Sequence, residues 1–346
     1  MIKIKIFMLT GQNNGEKDVL RAYYRGIVQH YGSMFGGDVE INDVNQTKIV
    51  KEIKKNGVDI SLDYNEDPGE DCDVGVIFGS AKPRDNMHHR VRNAVIEKAK
   101  NYIIIETPLL ARSIVKQSNH EYYRIGLNGF LNGQGEFNNE NSNAERLKTY
   151  GDLYNTWNGW KDNSSGHILI LLQLPGDASL RDSNHGEWLL DTVEQIRKIT
   201  QRKIMIRFHP AMSEKGHENF FGDVGKIVFK NYKEVHWSDG IDRTLQQDLK
   251  EAKTCVTYSS GSAIDSVVYG IPTIAIDEGN FAYPICSKSI DAVENPIKAE
   301  KETVMQWLQD LSYCQWNRAE MANGRAWVHI YSKIVELVGK PVPEEK

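Results

Sequence analysis

The chain has 346 residues, 40% of them hydrophobic and 26% charged, with a formal net charge of −5. That size and balance point to about two ordinary globular domains, and the acidic sign argues against a protein that coats nucleic acid without selectivity. No apolar run reaches the length of a membrane-crossing helix, and MIKIKIFMLTG at the N-terminus lacks the apolar core and cleavage site of a signal peptide, so no membrane insertion and a cytoplasmic location are expected.

Strand-like and helix-like segments then alternate. KIKIFMLT reads as a strand, GQNNG as a turn and EKDVLRAYYRGIVQHYG as an amphipathic helix. DVEIND is a short strand, CDVGVIFGS a buried strand, RDNMHHRVRNAVIEKAK a helix and NYIIIET a second buried strand. The polar GLNGFLNGQGEFNNENSNAERL has the composition of a loop or linker. The pattern restarts with the strand GHILILLQLPGDAS, the helix GEWLLDTVEQIRKIT and the strands KIMIRFHP and KIVFKN. The helix DRTLQQDLKEA, strand TCVTYS, helix GSAIDSVVYG and strand IPTIAID follow, and a helical tail closes the chain. Repeated βα units imply parallel sheets covered on both faces. The expected fold is α/β, with two Rossmann-like doubly wound domains facing a cleft. The boundaries fall at 1–160 and 161–320, with a C-terminal helix in 321–346 packing back toward the N-terminal domain.

Four widely spaced cysteines (Cys72, Cys255, Cys286, Cys314) without a CxxC pair read as reduced thiols rather than a disulfide frame or zinc site. No GxGxxG, P-loop, GxSxG or HExxH motif is present, which counts against a dehydrogenase, a kinase, a serine hydrolase and a metallohydrolase. No metal and no cofactor are called for.

Ligands of open parallel sheets sit beyond the carboxyl ends of the strands. In the second half these ends carry Gly176, Asp177 and Ser179, then Arg207 and His209, then Tyr258, Ser259, Ser260, Gly261 and Ser262. Arg207 and His209 alternate along a strand, which turns them to one side. A guanidinium, an imidazole, hydroxyls and helix-start amides together would cradle a phosphate or diphosphate. Taken singly, the serines could be helix caps, Arg207 an ion pair and His209 a core residue. Asp265 could bind ribose hydroxyls or be a favourable first-turn acid. In the first half, Glu106 ends an apolar strand before Thr107-Pro108, where it could act as a general base or cap the next helix. Between Val76 and Ile125 there are nine Lys/Arg against four acids, plus His88 and His89. That stretch is either a solvated face or a surface for a polyanion. The glycines of YYRIGLNGFLNGQGEF suit close approach to a ligand or a set of tight turns.

These features resemble the GT-B architecture of nucleotide-sugar glycosyltransferases. His209-Pro210 after a strand and the Ser259-Ser260 turn are similar to bacterial capsule-type and sialyl- or Kdo-type transferases, in which such residues contact the donor's phosphate and nucleotide. CDVGVIFGS, a basic helix and KNYIIIETPLLAR follow the order of T-even-type phage DNA glucosyltransferases, with Glu106 where those enzymes carry a basic Asp toward 5-hydroxymethylcytosine. ETPLLAR, YYRIGLNG and the following glycines also resemble phage glycosyltransferases that add arabinose.

The resemblance implies a metal-independent transferase using a UDP-sugar, with a CMP-sugar as the alternative. Glu106 would be its base and Gly176, Asp177, Ser179, Arg207, His209, Tyr258 to Ser262 and Asp265 its donor site. It further implies hydroxymethylated double-stranded DNA as acceptor, held by Lys82, Arg84, His88, His89, Arg112, Tyr123, Arg124 and Asn128, and the host cytoplasm as location if phage-encoded. A capsule or lipopolysaccharide transferase, an epimerase, a phosphorylase and a non-catalytic nucleotide-binding protein are the rival readings.

Overall fold

A computed structural model describes residues 1–37, 41–42, 45–64, 71–80, 82, 87–112, 120–181, 183–210, 223–228, 230–238 and 243–341. The chain divides into two compact units. The first comprises Met1–Phe130, Gln134–Ser142 and Asp310–Lys346, the second Leu131–Gly133 and Asn143–Gln309.

The first unit is built on a six-stranded sheet ordered β11-β5-β4-β3-β1-β2. Its strands are β1 (Ile2–Met8), β2 (Val58–Tyr64), β3 (Val74–Phe78), β4 (Asn101–Glu106), β5 (Tyr122–Leu127) and β11 (Gln315–Asn317). The four strands β2-β1-β3-β4 are parallel, while β5 runs antiparallel to β4 and β11 antiparallel to β5. β3 is buried at every position, as a parallel strand covered on both faces must be. Helix α1 (Asn14–Gly36) starts where Asn13 caps the amide of Glu16 at 3.0 Å and buries Val19, Leu20, Tyr23, Ile27 and Tyr31 along one stripe. Two further helices, α2 (Gln46–Lys55) and α3 (Met87–Lys98), complete the N-terminal part.

In the second unit β6 (His167–Leu171), β7 (Ile204–Arg207), β8 (Val235–Ser238), β9 (Ala252–Thr257) and β10 (Thr273–Ala275) form an all-parallel sheet ordered β10-β9-β6-β7-β8. Counted within the unit this is the doubly wound order 5-4-1-2-3, whose reversal lies between β6 and β9. Its helices include the short α4 (Asp152–Asn155), then α5 (His185–Ile199), α6 (Leu245–Glu251) and α7 (Ser262–Val268).

Helix α8 (Lys301–Ser312) leads the chain back to the first unit, where α9 (Arg318–Ala322) and α10 (Arg325–Val338) follow β11. Trp327, Ile330 and Ile334 join the core of β1, β3 and α1, with the Trp327 ring edge-on to Tyr23 at 6.1 Å. The approach is close enough that a Cβ on Gly26 of α1 would lie 1.8 Å from the Met321 carbonyl, so only glycine fits there.

Two segments differ from the sequence reading. KIVFKN is helical at 226–228 and 230–231, and the strand lies downstream at β8. A short apolar run fits a buried helix as well as a strand, and tertiary packing decides. The stretch read as a polar loop begins inside a strand: its Gly126 and Leu127 close the fully buried β5. DVEIND lies largely outside the described residues, and its Ile41 and Asn42 are not in a strand. Among the described residues all four cysteines are free and buried, and no helix is long and apolar enough to cross a membrane.

Candidate functional site

The strand order of the second unit places its ligand crevice at the carboxyl ends of β6 and β9. There Gln173, two residues past β6 and 5% exposed, joins the two loops. Its amide nitrogen donates to Ser179 Oγ at 2.7 Å and to Ser259 Oγ at 3.1 Å, while its Oε1 accepts from the Ser259 backbone at 3.0 Å. Ser259 Oγ also donates to the Ser179 carbonyl at 2.7 Å. Asp177, at the foot of a single helical turn, accepts from Ser179 N and Oγ at 2.9 and 2.8 Å, and Gly176 before it takes the left-handed turn (φ 69°). Asp177, Ser179 and Ser259, named from the sequence, therefore belong to one hydrogen-bonded cluster at this crevice, and Gly176, also named, supplies the turn that leads into it. Gln173 is its centre and carried no motif.

Ser260 stands just ahead of α7, whose N-cap is Gly261; its Oγ accepts from Ser262 N at 3.2 Å, and Asn280 holds its carbonyl at 3.3 Å. Both Ser259 and Ser260 are 7% exposed. Gly261, Ser262 and Asp265 are half-buried at the start of α7. Tyr258 faces Trp188 edge-on at 5.8 Å, and burial, with Asp277 nearby, raises its phenol pKa. Arg181, exposed and with a positive φ of 53°, pairs with Asp277 on the loop after β10.

Arg207 has another commitment. Its NH1 donates to Asp248 Oδ2 at 2.6 Å, and Ser238 Oγ and Arg243 Nε reach the same carboxylate at 2.5 and 2.6 Å. The Arg207 and Asp248 side chains are 7% and 0% exposed, so this is an interior ion pair completed by its neighbours. β7 ends at Arg207, and His209 lies half-buried just beyond it.

In the first unit the order of the parallel strands reverses between β1 and β3, and the carboxyl ends there gather charge. Glu106 at the end of β4 accepts through Oε1 from Ser80 N and Oγ at 2.8 and 2.9 Å, and through Oε2 from Thr107 N and Oγ1 at 2.9 and 3.4 Å. Both oxygens are thus engaged by the β3 and β4 loops. Arg92 of α3 lies against Gly79, where an added Cβ would meet its NH2 at 2.8 Å, and His88 lies against Gly11. Burial lowers the Arg92 pKa against the opposing pull of Glu106 and Glu16. The Glu16 carboxyl is raised above its ordinary range by burial, opposed by Arg92 and His88. Glu16, Arg92 and His120, whose pKa burial and Arg112 lower, join Glu106 electrostatically. Residue spacing gave no sign of Glu16 or His120.

The acceptor candidates are scattered. His88 is at this crevice, His89 is on α3 at 9% exposure and Arg112 is exposed. Lys82 is half-buried and its carbonyl accepts from Asn93 at 3.3 Å; Arg84 lies outside the described residues. Tyr123 is fully enclosed, edge-on to Phe78 at 5.8 Å, and Arg124 is 8% exposed with its guanidinium over Phe130. Asn128 sits at the amino end of β4, away from Glu106, bonding Tyr102 N at 2.9 Å and Asn101 at 3.0 Å. The glycines of that segment serve the chain itself: a Cβ on Gly126 would lie 2.1 Å from the Gly129 carbonyl.

No protein-family model and no curated protein matches this chain. Solved structures similar to it include a KpsC beta Kdo 2,7 transferase of Thermosulfurimonas dismutans (10% identity, TM-score 0.43), covering 90% of this chain and 89% of that one. Another is a UDP-GlcNAc 2-epimerase of Methanocaldococcus jannaschii in complex with UDP-GlcNAc and UDP (11%, TM-score 0.32; 96% and 100% covered). A third is the E. coli heptosyltransferase WaaC (8%, TM-score 0.26; 79% and 88% covered). At such scores the architecture is read from the strand orders themselves: two α/β units, each wound on a largely or wholly parallel sheet.

Proposed function

We propose that this protein is a glycosyltransferase that takes its sugar from a nucleotide sugar. The observation that carries the reading is the Gln173–Ser179–Ser259 cluster at the switch point of a sheet with dinucleotide-fold strand order. Hydroxyls and amides held in place by one another are suited to a diphosphate, because they supply donors without reorganising. In the reaction, an acceptor hydroxyl gives its proton to Glu106 while its oxygen bonds to the anomeric carbon. The bond from that carbon to the donor phosphate breaks, and the nucleotide leaves with the electron pair. Glu106 becomes available when Ser80 Oγ or Thr107 Oγ1 turns away, since its two backbone bonds alone hold it in position. A UDP-sugar is the proposed donor and a CMP-sugar the alternative; neither a metal nor a further cofactor has a part.

For the acceptor, a glycan or small hydroxyl compound ranks ahead of hydroxymethylcytosine in DNA. Extracting a base calls for accessible aromatic and cationic groups, whereas Tyr123 and Arg124 are interior. The test incubates the protein with UDP- and CMP-sugars and, separately, Kdo-containing glycans and hydroxymethylcytosine DNA, and weighs the products by mass spectrometry. A sugar mass on either acceptor, abolished at least ~100-fold by Glu106→Gln with UDP affinity retained, supports the reading. UDP binding without transfer to any acceptor would leave a nucleotide-binding protein, and no nucleotide binding would overturn the reading.

A further inference from the structure

Gln173 organises the crevice of the second unit, and its own position is set from behind. Its backbone N–H donates to His185 Nε2 at 3.1 Å. His185 is the first residue of α5, after Asn184, whose side chain caps the amides of Gly186 and Glu187. The ring is 1% exposed. It lies flat on Trp188 at 4.9 Å and 3° between planes, and edge-on to Tyr258 at 6.5 Å. The chain leaves β6 at Leu171, so at residue 173 no sheet partner is available for the amide. A buried N–H without an acceptor would cost more than a hydrogen bond is worth, and the loop would shift to find one.

We infer that His185 is a positioning residue for the nucleotide crevice: by accepting from the Gln173 amide it fixes the backbone from which the Gln173 side chain aligns Ser179 and Ser259. The inference rests on the proposed nucleotide-binding reading of this crevice. Contact with the nucleotide belongs to the serines and Gln173; His185 acts through them. The role needs an unprotonated Nε2: burial keeps the ring neutral by lowering the imidazole pKa to about 4, against the opposing charge of Asp177, and the Gln173 N–H aimed at Nε2 selects the tautomer with its proton on Nδ1. Trp188 and Tyr258 hold the ring in plane, so the lone pair stays aimed at one N–H.

The experiment compares the whole protein with His185→Phe, which keeps a flat ring on Trp188 but has no acceptor, and with His185→Gln, whose amide oxygen can stand near Nε2. Two readouts are taken: amide hydrogen exchange at Gln173 and Ser259 without ligand, and UDP affinity by calorimetry. Expected are exchange at both amides at least ~10-fold faster and UDP binding about tenfold weaker in His185→Phe, with His185→Gln recovering most of both. Unchanged protection of Gln173 and Ser259 in His185→Phe would overturn the inference, because the loop would then be held without it. Nitrogen-15 shifts of the wild-type imidazole decide the matter even if the variant fails to fold: a protonated Nε2 at neutral pH would overturn it too. If the wild type itself binds no UDP, the nucleotide reading falls, while exchange and nitrogen shifts still decide the role of His185.

Discussion

The two crevices occupy equivalent places in their own sheets and are furnished with opposite chemistry. In the first unit Glu16, Arg92 and Glu106 bring charged groups to the carboxyl ends of β1, β3 and β4, with His88 beside them. In the second unit the carboxyl ends of β6 and β9 meet in a cluster of amide and hydroxyl groups, backed by a neutral imidazole. Charged groups that perturb one another are what proton transfer requires. Fixed neutral dipoles suit holding an anion without forming an unpaired buried charge. A reversal of strand order thus marks both candidate sites, in sheets of different order, and leaves their work to the side chains placed there.

The sharpest way to break this contrast is to damage the buried charge cluster of the second unit. Asp248 binds Arg207, Ser238 and Arg243 and is fully buried. Asp248→Ala leaves the Arg207 guanidinium buried beside an empty acceptor, at a cost of about 3–5 kcal/mol. Urea unfolding followed by tryptophan fluorescence should lose that much stability. A loss within ~0.5 kcal/mol of zero would mean that Arg207 finds another partner, and would return it to the list of donor ligands.

A second test uses pH. The folded His185 pKa of about 4 lies below the ordinary 6.5, so the unfolded chain binds the proton more readily. The resulting stability is fully present above about pH 6.5 and is lost as pH falls toward 4, up to roughly 3 kcal/mol by linkage. The difference between wild type and His185→Phe across that window isolates this residue from His167, which burial also lowers. Parallel pH curves for the two proteins would show that His185 titrates normally.

Next in size is the cluster itself. Gln173→Ala removes the side chain that spans the β6 and β9 loops, and UDP affinity should fall about tenfold, equal to ~1.4 kcal/mol. Unfolding should shift by a comparable amount. An unchanged UDP affinity would detach nucleotide binding from this crevice.

Much of this architecture is legible in the residues, and the gaps have physical causes. NYIIIET and CDVGVIFGS read as buried strands, since short runs rich in β-branched residues with no polar face suit a covered sheet. β2 hides because VDISLDY alternates as an edge strand does, and DVEIND a little earlier alternates too. β5 pairs antiparallel with β4 close by in the chain, but β11 joins the sheet by antiparallel pairing with β5 between residues about 190 apart, which no local pattern encodes. The serines of YSSGS were visible as a helix start, and Ser260 Oγ does accept from Ser262 N, the first residue of α7. That Ser259 turns instead to Gln173 depends on the β6 and β9 loops meeting. The ion pair of Arg207 was hidden because its partner Asp248 stands 41 residues on, in a helix.

The smallest expected effect probes the first crevice. Glu16 is an acid whose folded pKa is raised, so its share of stability is present below its ordinary pKa and lost as pH rises through the folded value. At neutral pH its charge therefore opposes folding, in the reverse sense to His185. Glu16→Gln keeps the shape and the Asn13 cap on the residue 16 amide while removing that charge. It should raise stability at pH 7 by a few tenths of a kcal/mol, and the gain should vanish near pH 4. If it destabilises at pH 7, attraction to Arg92 and His88 outweighs burial, and the carboxylate is a structural counter-ion. A gain in stability joined to a loss of transfer would mean that the charge is kept at the expense of folding because the chemistry uses it.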